Sequence, residues 1–134
     1  MVPESEYPYT AFADKCFVPY DGKIKVLSYT TVPAKSATAL KTAIAKQPVS
    51  VTVAAGGYAF QHYINGVITD TTCGTALDHA ILAVGYGVEN GVEYYIVKNS
   101  WGTGWGDKGY IKLAMVSGKG ICGVQMEPLY PNGV

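Results

Sequence analysis

Apolar residues recur at helical spacing in one stretch of the chain, between positions 36 and 46. Its apolar positions are Ala37, Leu40, Ala43 and Ile44. Residues at this spacing form one face of an amphipathic α-helix. Ser36 is a suitable N-cap before the pattern, and Pro48 stops the helix soon after it. The sequence therefore predicts one convincing helix.

Most of the remaining pattern predicts β-strands. Val49–Val53 alternates strictly between apolar and polar residues, so one face of that strand is expected to be buried. Further strands are predicted over residues 79–84, 93–98 and 110–115, with a weaker one over 23–29. Turns are predicted at Gly56-Gly57, at residues 85–87, at the hairpin signal Glu89-Asn90-Gly91 and in the glycine-rich loop 102–109.

The predicted fold class is α+β, with an antiparallel sheet or partial β-barrel and one or two short helices. The 16 glycines and 11 tyrosines agree with strands joined by tight turns. Residues 1–33 are rich in proline and tyrosine and show little periodicity. We expect them to be an extended segment that needs another surface to lie against.

Composition excludes several classes of function. The chain is 49% hydrophobic and 15% charged, which is typical of a compact fold and not of a disordered one. Ten lysines balance ten acidic residues, so there is no electrostatic case for a nucleic-acid or anionic-membrane partner. No apolar run is long enough to span a membrane, and the start Met1-Val2-Pro3 has no signal-peptide core.

The chain has two histidines, and His79 is the better candidate for chemistry. His79 stands at the start of an apolar strand, where a polar ring is poorly placed unless something uses it. A lone histidine is more often structural, so this position alone does not decide its role. His62 has no supporting motif and is interpreted as a surface or packing residue.

The second candidate is the run Asn99-Ser100-Trp101 with Trp105 four residues later. Indole rings over a glycine-rich turn can be mere packing. The same arrangement also places an Asn side chain beneath an aromatic cover. An Asn amide that accepts a hydrogen bond from an imidazole N–H would fix the tautomer and orientation of the ring.

These motifs, taken together, resemble the papain and cathepsin L family of cysteine peptidases. The central segments that carry the resemblance are Asp78-His79-Ala80, Gly85-Tyr86-Gly87, Tyr95 to Gly106 and Gly109-Tyr110. The outer segments are Tyr7-Pro8-Tyr9 with Cys16, Gln47 to Val51, Cys122-Gly123 and Leu129-Tyr130-Pro131. Their order and spacing cover nearly the whole chain. The chain is similar to the sheet domain of the papain-like fold.

The resemblance implies a role for each motif residue. His79 would be the general base that pairs with a cysteine thiolate, and Asn99 would orient its ring. Trp101 would shield the His–Asn hydrogen bond, and Trp105 would line the primed side of the cleft. The family needs no cofactor and no metal. Its partners are peptide or protein substrates, propeptides and cystatin-type inhibitors, and its members are found in lysosomes or vacuoles or are secreted.

The resemblance also implies that the nucleophile lies elsewhere. In this family the cysteine lies about 130–150 residues before the His and Asn, which places it before residue 1. None of the three cysteines has the family's nucleophile motif around it. We therefore expect a C-terminal half that is inactive without its N-terminal, cysteine-bearing half. Residues 1–30 would pack on that missing helical domain, and residues 31–134 would form the sheet domain with its tail.

The resemblance implies a disulfide for two of the three cysteines and an unpaired state for the third. Cys73 and Cys122 match the disulfide of the family's sheet domain, and such a bridge would contribute about 3–4 kcal/mol through loop entropy. Metal ligation is an alternative, although no His/Cys spacing supports it. Cys16 resembles a cysteine that bonds to the absent half, so it is expected to be unpaired here. A reactive sensor thiol is the alternative for Cys16.

By the same alignment, a specificity pocket for the P2 side chain of the substrate would have Val53, Leu77 and Ala80 as its apolar wall. Glu127, five residues after the last cysteine, would lie at its floor. Family members with Glu at that position accept Arg as well as bulky apolar residues. The alternative is that Glu127 points to solvent near a frayed terminus.

Two other hypotheses compete with an enzyme half. One is an isolated, non-catalytic sheet domain that serves as a folding or binding module. The other is a different thiol or zinc hydrolase, which the Asn-Ser-Trp motif makes improbable.

Overall fold

The computed structural model describes residue 3 and residues 5–10, 12–16 and 24–133 of the chain. It is mostly β-sheet. The two helices are α1 (Ala37–Ile44) and α2 (Tyr58–Gln61), and Ile121–Gly123 forms a 3₁₀ turn. The strands are β1 (Ser28–Thr31), β2 (Val49–Val53), β3 (Val67–Ile68), β4 (His79–Glu89), β5 (Val92–Lys98), β6 (Tyr110–Ala114) and β7 (Leu129–Asn132).

The strands form one open sheet in the order β1-β7-β2-β4-β5-β6-β3. The pairs β2–β4, β2–β7, β4–β5 and β5–β6 are antiparallel. The short strand β3 pairs with β6 in parallel. The predicted α+β class and its open sheet are confirmed, and the one difference is that the β3–β6 pair makes the sheet mixed. A two-residue strand carries no pattern that could have predicted its direction.

Helix α1 confirms the single helical pattern of the sequence. The Ser36 hydroxyl accepts a hydrogen bond from the Ala39 amide at 3.2 Å, which is an N-cap. The helix buries Leu40, Ala43 and Ile44. The strand after it, β2, alternates between buried and half-buried residues as predicted.

The β4–β5 hairpin differs from its prediction in length. We predicted a strand that ends at residue 84, but β4 continues through Gly85-Tyr86-Gly87 to Glu89. A register shift between Ala83 and Gly85 leaves Val84 as the extra residue of a bulge, and from Gly85 onward the strand pairs with β5 again. The hairpin turn is confirmed, and Asn90 and Gly91 both have positive φ, 52° and 79°.

Two other segments also differ from their predictions. The strand expected over residues 23–29 is β1, Ser28–Thr31. Lys23 lies outside the described residues, and residues 24–27 are not in a strand. Helix α2 was not specifically predicted, because a single turn after Gly56-Gly57 is too short for a periodic pattern.

One compact unit, Thr30–Tyr130, contains the core. Buried apolar side chains come from both helices, from β2, β4, β5 and β6, from the 3₁₀ turn and from the segments between them. A second unit consists of Met1–Tyr29 with Pro131–Val134, and its described residues up to Tyr29 are exposed. The division into segments 1–30 and 31–134 stays a prediction. Within the described residues, no helix is long and apolar enough to cross a membrane.

Candidate active site

The two candidate catalytic residues lie at the same end of one hairpin. His79 is the first residue of β4, and Asn99 directly follows β5. Because β4 and β5 are antiparallel, the start of one strand lies beside the end of the other. The distance between His79 Nε2 and Asn99 Oδ1 is 2.8 Å, so the side chains are hydrogen-bonded.

Local contacts fix the orientation of the Asn99 amide. The Ser100 backbone N–H donates to Asn99 Oδ1 at 2.8 Å, which identifies this atom as the oxygen. An amide oxygen only accepts, so the hydrogen in the bond to His79 belongs to Nε2. The other ring nitrogen of His79, Nδ1, is therefore left to exchange a proton with another group. Asn99 is 7% exposed, and its Nδ2 has no hydrogen-bond partner.

Aromatic rings cover the His–Asn pair. The Trp101 ring stacks on His79, with centroids 5.2 Å apart and planes 27° apart. Phe60 of α2 meets Trp101 edge to face at 5.6 Å. Trp105 packs against both of these rings and against Tyr63, and its Nε1 donates to the Gln61 carbonyl at 3.0 Å. Trp101 thus packs on the imidazole, and the half-buried Trp105 packs against Trp101. Shielding of the His–Asn bond by Trp101 and lining of the primed side of the cleft by Trp105 stay predictions.

Asp78 holds the start of β4 in place. Its Oδ1 accepts a hydrogen bond from the Ala55 backbone N–H at 2.8 Å. Its own N–H donates to the Val53 carbonyl at 3.1 Å. Asp78 and α2 contact the candidate site, and the sequence assigned no role to either. The signal for Asp78 was its position directly before His79, whereas nothing in the sequence singled out Phe60.

The candidate pocket residues are brought together only in part. Leu77 and Met126 both lie over Gly123, where an added Cβ would be 2.6 Å from Leu77 Cδ2 and 3.2 Å from Met126 Sδ. Ala80 and Glu127 are exposed. Val53 is a fully buried core residue with no surface to offer a ligand. The assignment of Val53, Leu77, Ala80 and Glu127 to a P2 pocket stays a prediction, and sequence analysis did not include Met126.

The three cysteines and the second histidine lie in different surroundings. Cys73 and Cys122 form a disulfide that spans 49 positions, which confirms that prediction. Cys16 is exposed and unbonded. His62 is exposed and packs on Tyr58 with ring centroids 4.3 Å apart. Among the described residues, no group of three His, Cys, Asp or Glu side chains could hold a metal ion.

Comparisons with known proteins agree with this geometry. The family described as papain family cysteine protease matches residues 1–132. Germination-specific cysteine protease 1 of Arabidopsis thaliana is 50% identical over 133 residues, which are 96% of this chain and 35% of that protein. Cysteine proteinase 2 of Entamoeba histolytica is 47% identical, over 98% of this chain and 42% of that protein.

Solved structures give the same result. Bromelain from Ananas comosus, in complex with an inhibitor, has a TM-score of 0.87 and 42% identity over 98% of this chain and 62% of that chain. A ragweed pollen allergen cysteine protease in its proform has a TM-score of 0.92 and 37% identity over 99% of this chain and 37% of that chain. The chain spans 35% and 42% of the two curated relatives, and 37% and 62% of the two solved chains.

The fold is therefore that of the sheet domain of a papain-like protein. The chain belongs to the papain family of cysteine proteases.

Proposed function

We propose that this chain supplies the general base and its orienting residue to the active site of a papain-like cysteine endopeptidase. The observation that carries the proposal is the 2.8 Å bond from His79 Nε2 to Asn99 Oδ1 beneath the Trp101 ring. This bond leaves Nδ1 of His79 for a nucleophile. An aromatic cover that keeps water away strengthens the bond and fixes the ring orientation.

The proposed reaction is acyl transfer through a cysteine. The thiol of the nucleophile gives its proton to His79 Nδ1, and the resulting imidazolium stabilises the thiolate. The thiolate sulfur attacks the scissile carbonyl carbon, and His79 then protonates the leaving amine as the C–N bond breaks. Water, deprotonated by the same ring, hydrolyses the acyl-enzyme and regenerates the thiol. Asn99 keeps the ring aimed throughout.

We propose further that the nucleophile comes from another part of the peptidase and that this chain alone is inactive. Cys73 and Cys122 are joined to each other, so neither has a free sulfur. Cys16 lacks the sequence that surrounds the family's nucleophile. The partner of this chain would be the N-terminal, cysteine-bearing half, and the exposed side chains of Tyr9 and Phe12 are suited to lie against it.

A complementation experiment tests this function. The chain is purified alone and together with a papain-like cysteine-bearing half, and both are assayed with a fluorogenic peptide. We expect no turnover and no active-site labelling by a thiol-directed epoxide for the chain alone, and turnover for the pair. The pair with His79→Ala is the control and should be inactive. Turnover by the 134-residue chain alone would refute its inactivity.

The alternative function is a non-catalytic module. The compact unit Thr30–Tyr130 has its own core, which favours a domain that can fold by itself. If the complemented pair stays inactive although both parts associate, this alternative replaces the first proposal.

The disulfide supports an oxidising location for the protein. Disulfides persist in secreted proteins and in compartments outside the cytosol. We therefore propose a lysosomal or vacuolar location, or secretion. A propeptide or a cystatin-type inhibitor is a proposed partner, since similar proteins have been solved in a proform and with a bound inhibitor.

We also propose that Glu127 lets the peptidase accept Arg at P2. A carboxylate at the end of an apolar slot pairs with a guanidinium once water is displaced. The test compares Arg with Phe at P2 for the complete peptidase and for Glu127→Gln, which keeps the shape and removes the charge. If the ratio of kcat/KM for the Arg peptide to that for the Phe peptide does not fall in Glu127→Gln, Glu127 does not contact the P2 side chain.

A further inference from the structure

Gln125 is a polar residue with no exposed surface in the middle of the core. Its Nε2 donates to the Val116 carbonyl at 3.0 Å and to the Gly118 carbonyl at 2.7 Å. Its Oε1 accepts from the Tyr95 hydroxyl at 3.0 Å. Both donors and the carbonyl of this amide are therefore engaged, which is the condition under which a buried amide is tolerated.

The backbone of Gln125 is held as firmly as its side chain. Its N–H donates to the Lys119 carbonyl at 3.0 Å, and its carbonyl accepts from the Lys35 amide at 2.7 Å. Gln125 thus makes five hydrogen bonds to three separate parts of the chain. The absence of a side chain at Gly120 makes room for it, because a Cβ there would lie 2.9 Å from Gln125 Cγ.

One of these partners belongs to the strand that leads to the active site. Tyr95 is fully buried in β5. Because strand residues alternate, Tyr95 and Asn99 are on the same buried face of the segment that ends at the His–Asn pair. The side-chain bond between Tyr95 and Gln125 therefore ties the C-terminal segment to the strand that carries Asn99.

The two residues after Gln125 carry the candidate pocket. Met126 and Leu77 both lie over Gly123. Leu77 is two positions before His79 in the chain. Glu127 is exposed, and Pro128 is held again because its carbonyl accepts from the Val32 amide at 2.9 Å. Met126 and Glu127 therefore lie between two residues that are hydrogen-bonded to other parts of the chain, Gln125 and Pro128. Of these two, Gln125 is held through its side chain as well as its backbone.

We infer that Gln125 is a positioning residue for substrate specificity, which fixes Met126 and Glu127 against the segment that bears His79. This inference rests on the proposed peptidase function and deepens it. Gln125 does not touch the substrate. It acts by setting the distance between the carboxylate of Glu127 and the P2 side chain. His79 and Asn99 make no hydrogen bond to Gln125 and are held by their own bonds to each other and to the Ser100 amide.

A substitution that keeps the volume of Gln125 and removes its amide tests the inference. In the complete peptidase, Gln125→Met should raise KM for a P2-Arg peptide and leave kcat largely unchanged. The Arg/Phe ratio of kcat/KM should fall by about five- to ten-fold, the size of effect expected when one pocket contact is misplaced. Tyr95→Phe, which removes one of the three side-chain bonds, should shift the ratio in the same direction but less.

The matched control is Val124→Ala. Val124 is a fully buried neighbour that has no polar side-chain group, so its truncation weakens the core without releasing the Gln125 amide. We expect it to lower the thermal midpoint and to leave the Arg/Phe ratio unchanged. An equal shift of the ratio in Val124→Ala and Gln125→Met would show a general structural effect and overturn the inference.

A second readout does not depend on activity. Hydrogen exchange of the Met126 amide, which donates to the Gly123 carbonyl at 2.9 Å, reports the anchoring of the segment. It should speed up by about ten-fold or more in Gln125→Met and not in Val124→Ala. An active wild type with an unchanged ratio in Gln125→Met defeats this inference alone, whereas an inactive wild type defeats the proposed function. Unchanged exchange in Gln125→Met defeats the anchoring in either case.

Discussion

The arrangement of His79 and Asn99 assigns different tasks to the two nitrogens of one imidazole ring. Nε2 is committed to the Asn99 oxygen, and that oxygen is itself fixed by the Ser100 amide. Only Nδ1 can exchange a proton with a substrate or nucleophile. In the proposed mechanism Asn99 therefore orients the ring without taking part in proton transfer, so substitution of His79 and substitution of Asn99 should lower kcat by different amounts.

In the complete peptidase, His79→Ala should lower kcat by about 10³-fold or more, because it removes the ring that transfers the proton in the proposed mechanism. Asn99→Ala should lower kcat by less, about 10- to 100-fold, since the ring remains but loses its orientation. Steady-state kinetics with one peptide substrate measures both. Near-normal kcat in His79→Ala would overturn the assignment of the base.

Glycines in the loop beneath Trp101 differ sharply in what they tolerate. Gly106 has φ of 59°, and a Cβ there would lie 2.6 Å from the Tyr110 carbonyl oxygen, a backbone atom that cannot move cheaply. We expect Gly106→Ala to lower the free energy of unfolding by about 2–4 kcal/mol. Gly104→Ala is the control, because nothing lies within 4 Å of its added Cβ. Urea unfolding should show a change of less than about 0.5 kcal/mol for the control.

At the scale of elements, the sequence predicted what depends on local pattern. Helix α1 with its Ser36 cap, the alternation of β2 and the turn at Asn90-Gly91 all follow from residues close together in sequence. The length of β4 did not, because the glycines at its bulge read as a turn unless the partner strand is known. The parallel pairing of β3 with β6 likewise depends on a strand that is distant in the chain.

The candidate site shows the same division. His79, Asn99 and Trp101 could be found because they stand in recognisable motifs. Phe60 and Met126 have no motif, and they reach Trp101 and Leu77 only through the fold. Pattern alone cannot identify a residue whose function is to support another one from a distant part of the chain.

The start of β4 depends on the Asp78 carboxylate. Asp78→Ala should lower the free energy of unfolding by about 1 kcal/mol, because the Ala55 amide loses its acceptor. It should also lower activity, since His79 is the next residue. Asp78→Asn keeps an oxygen that can accept the same bond, so its stability should stay closer to that of the wild type. Equal destabilisation by both substitutions would contradict this account, and chemical unfolding decides it.

At the scale of the whole molecule, the disulfide is the largest single constraint on the unfolded chain. It closes a loop whose ends are 49 positions apart, and by loop entropy its loss should cost about 4 kcal/mol. In urea unfolding, the free energy of unfolding of the double variant Cys73→Ser/Cys122→Ser should be lower by that amount. Cys16→Ser is the matched control, because Cys16 is exposed and unbonded, and it should leave the transition in place.

Stability should also fall at alkaline pH. Burial raises the pKa of the Tyr95 hydroxyl well above its ordinary value, so the unfolded chain ionises first. The contribution of this group is fully present below about pH 10, the pKa of free tyrosine, and is lost as pH rises further. Tyr95→Phe should reduce the slope of unfolding free energy against pH above that point. An identical slope in the variant would show that Tyr95 is not responsible.

The positions of Cys73 and Cys122 have a consequence for what happens when a protease cuts the chain. Two exposed bends, at Asn90-Gly91 and at residues 117–119, lie between them and are the kind of site where proteases cut. A cut there breaks the backbone, but the sulfur bridge still joins the pieces. A protein that has been cut once in this way would run as one band on a denaturing, non-reducing gel and as two bands after reduction. The same scission in Cys73→Ser/Cys122→Ser would give two bands on the denaturing gel without reduction.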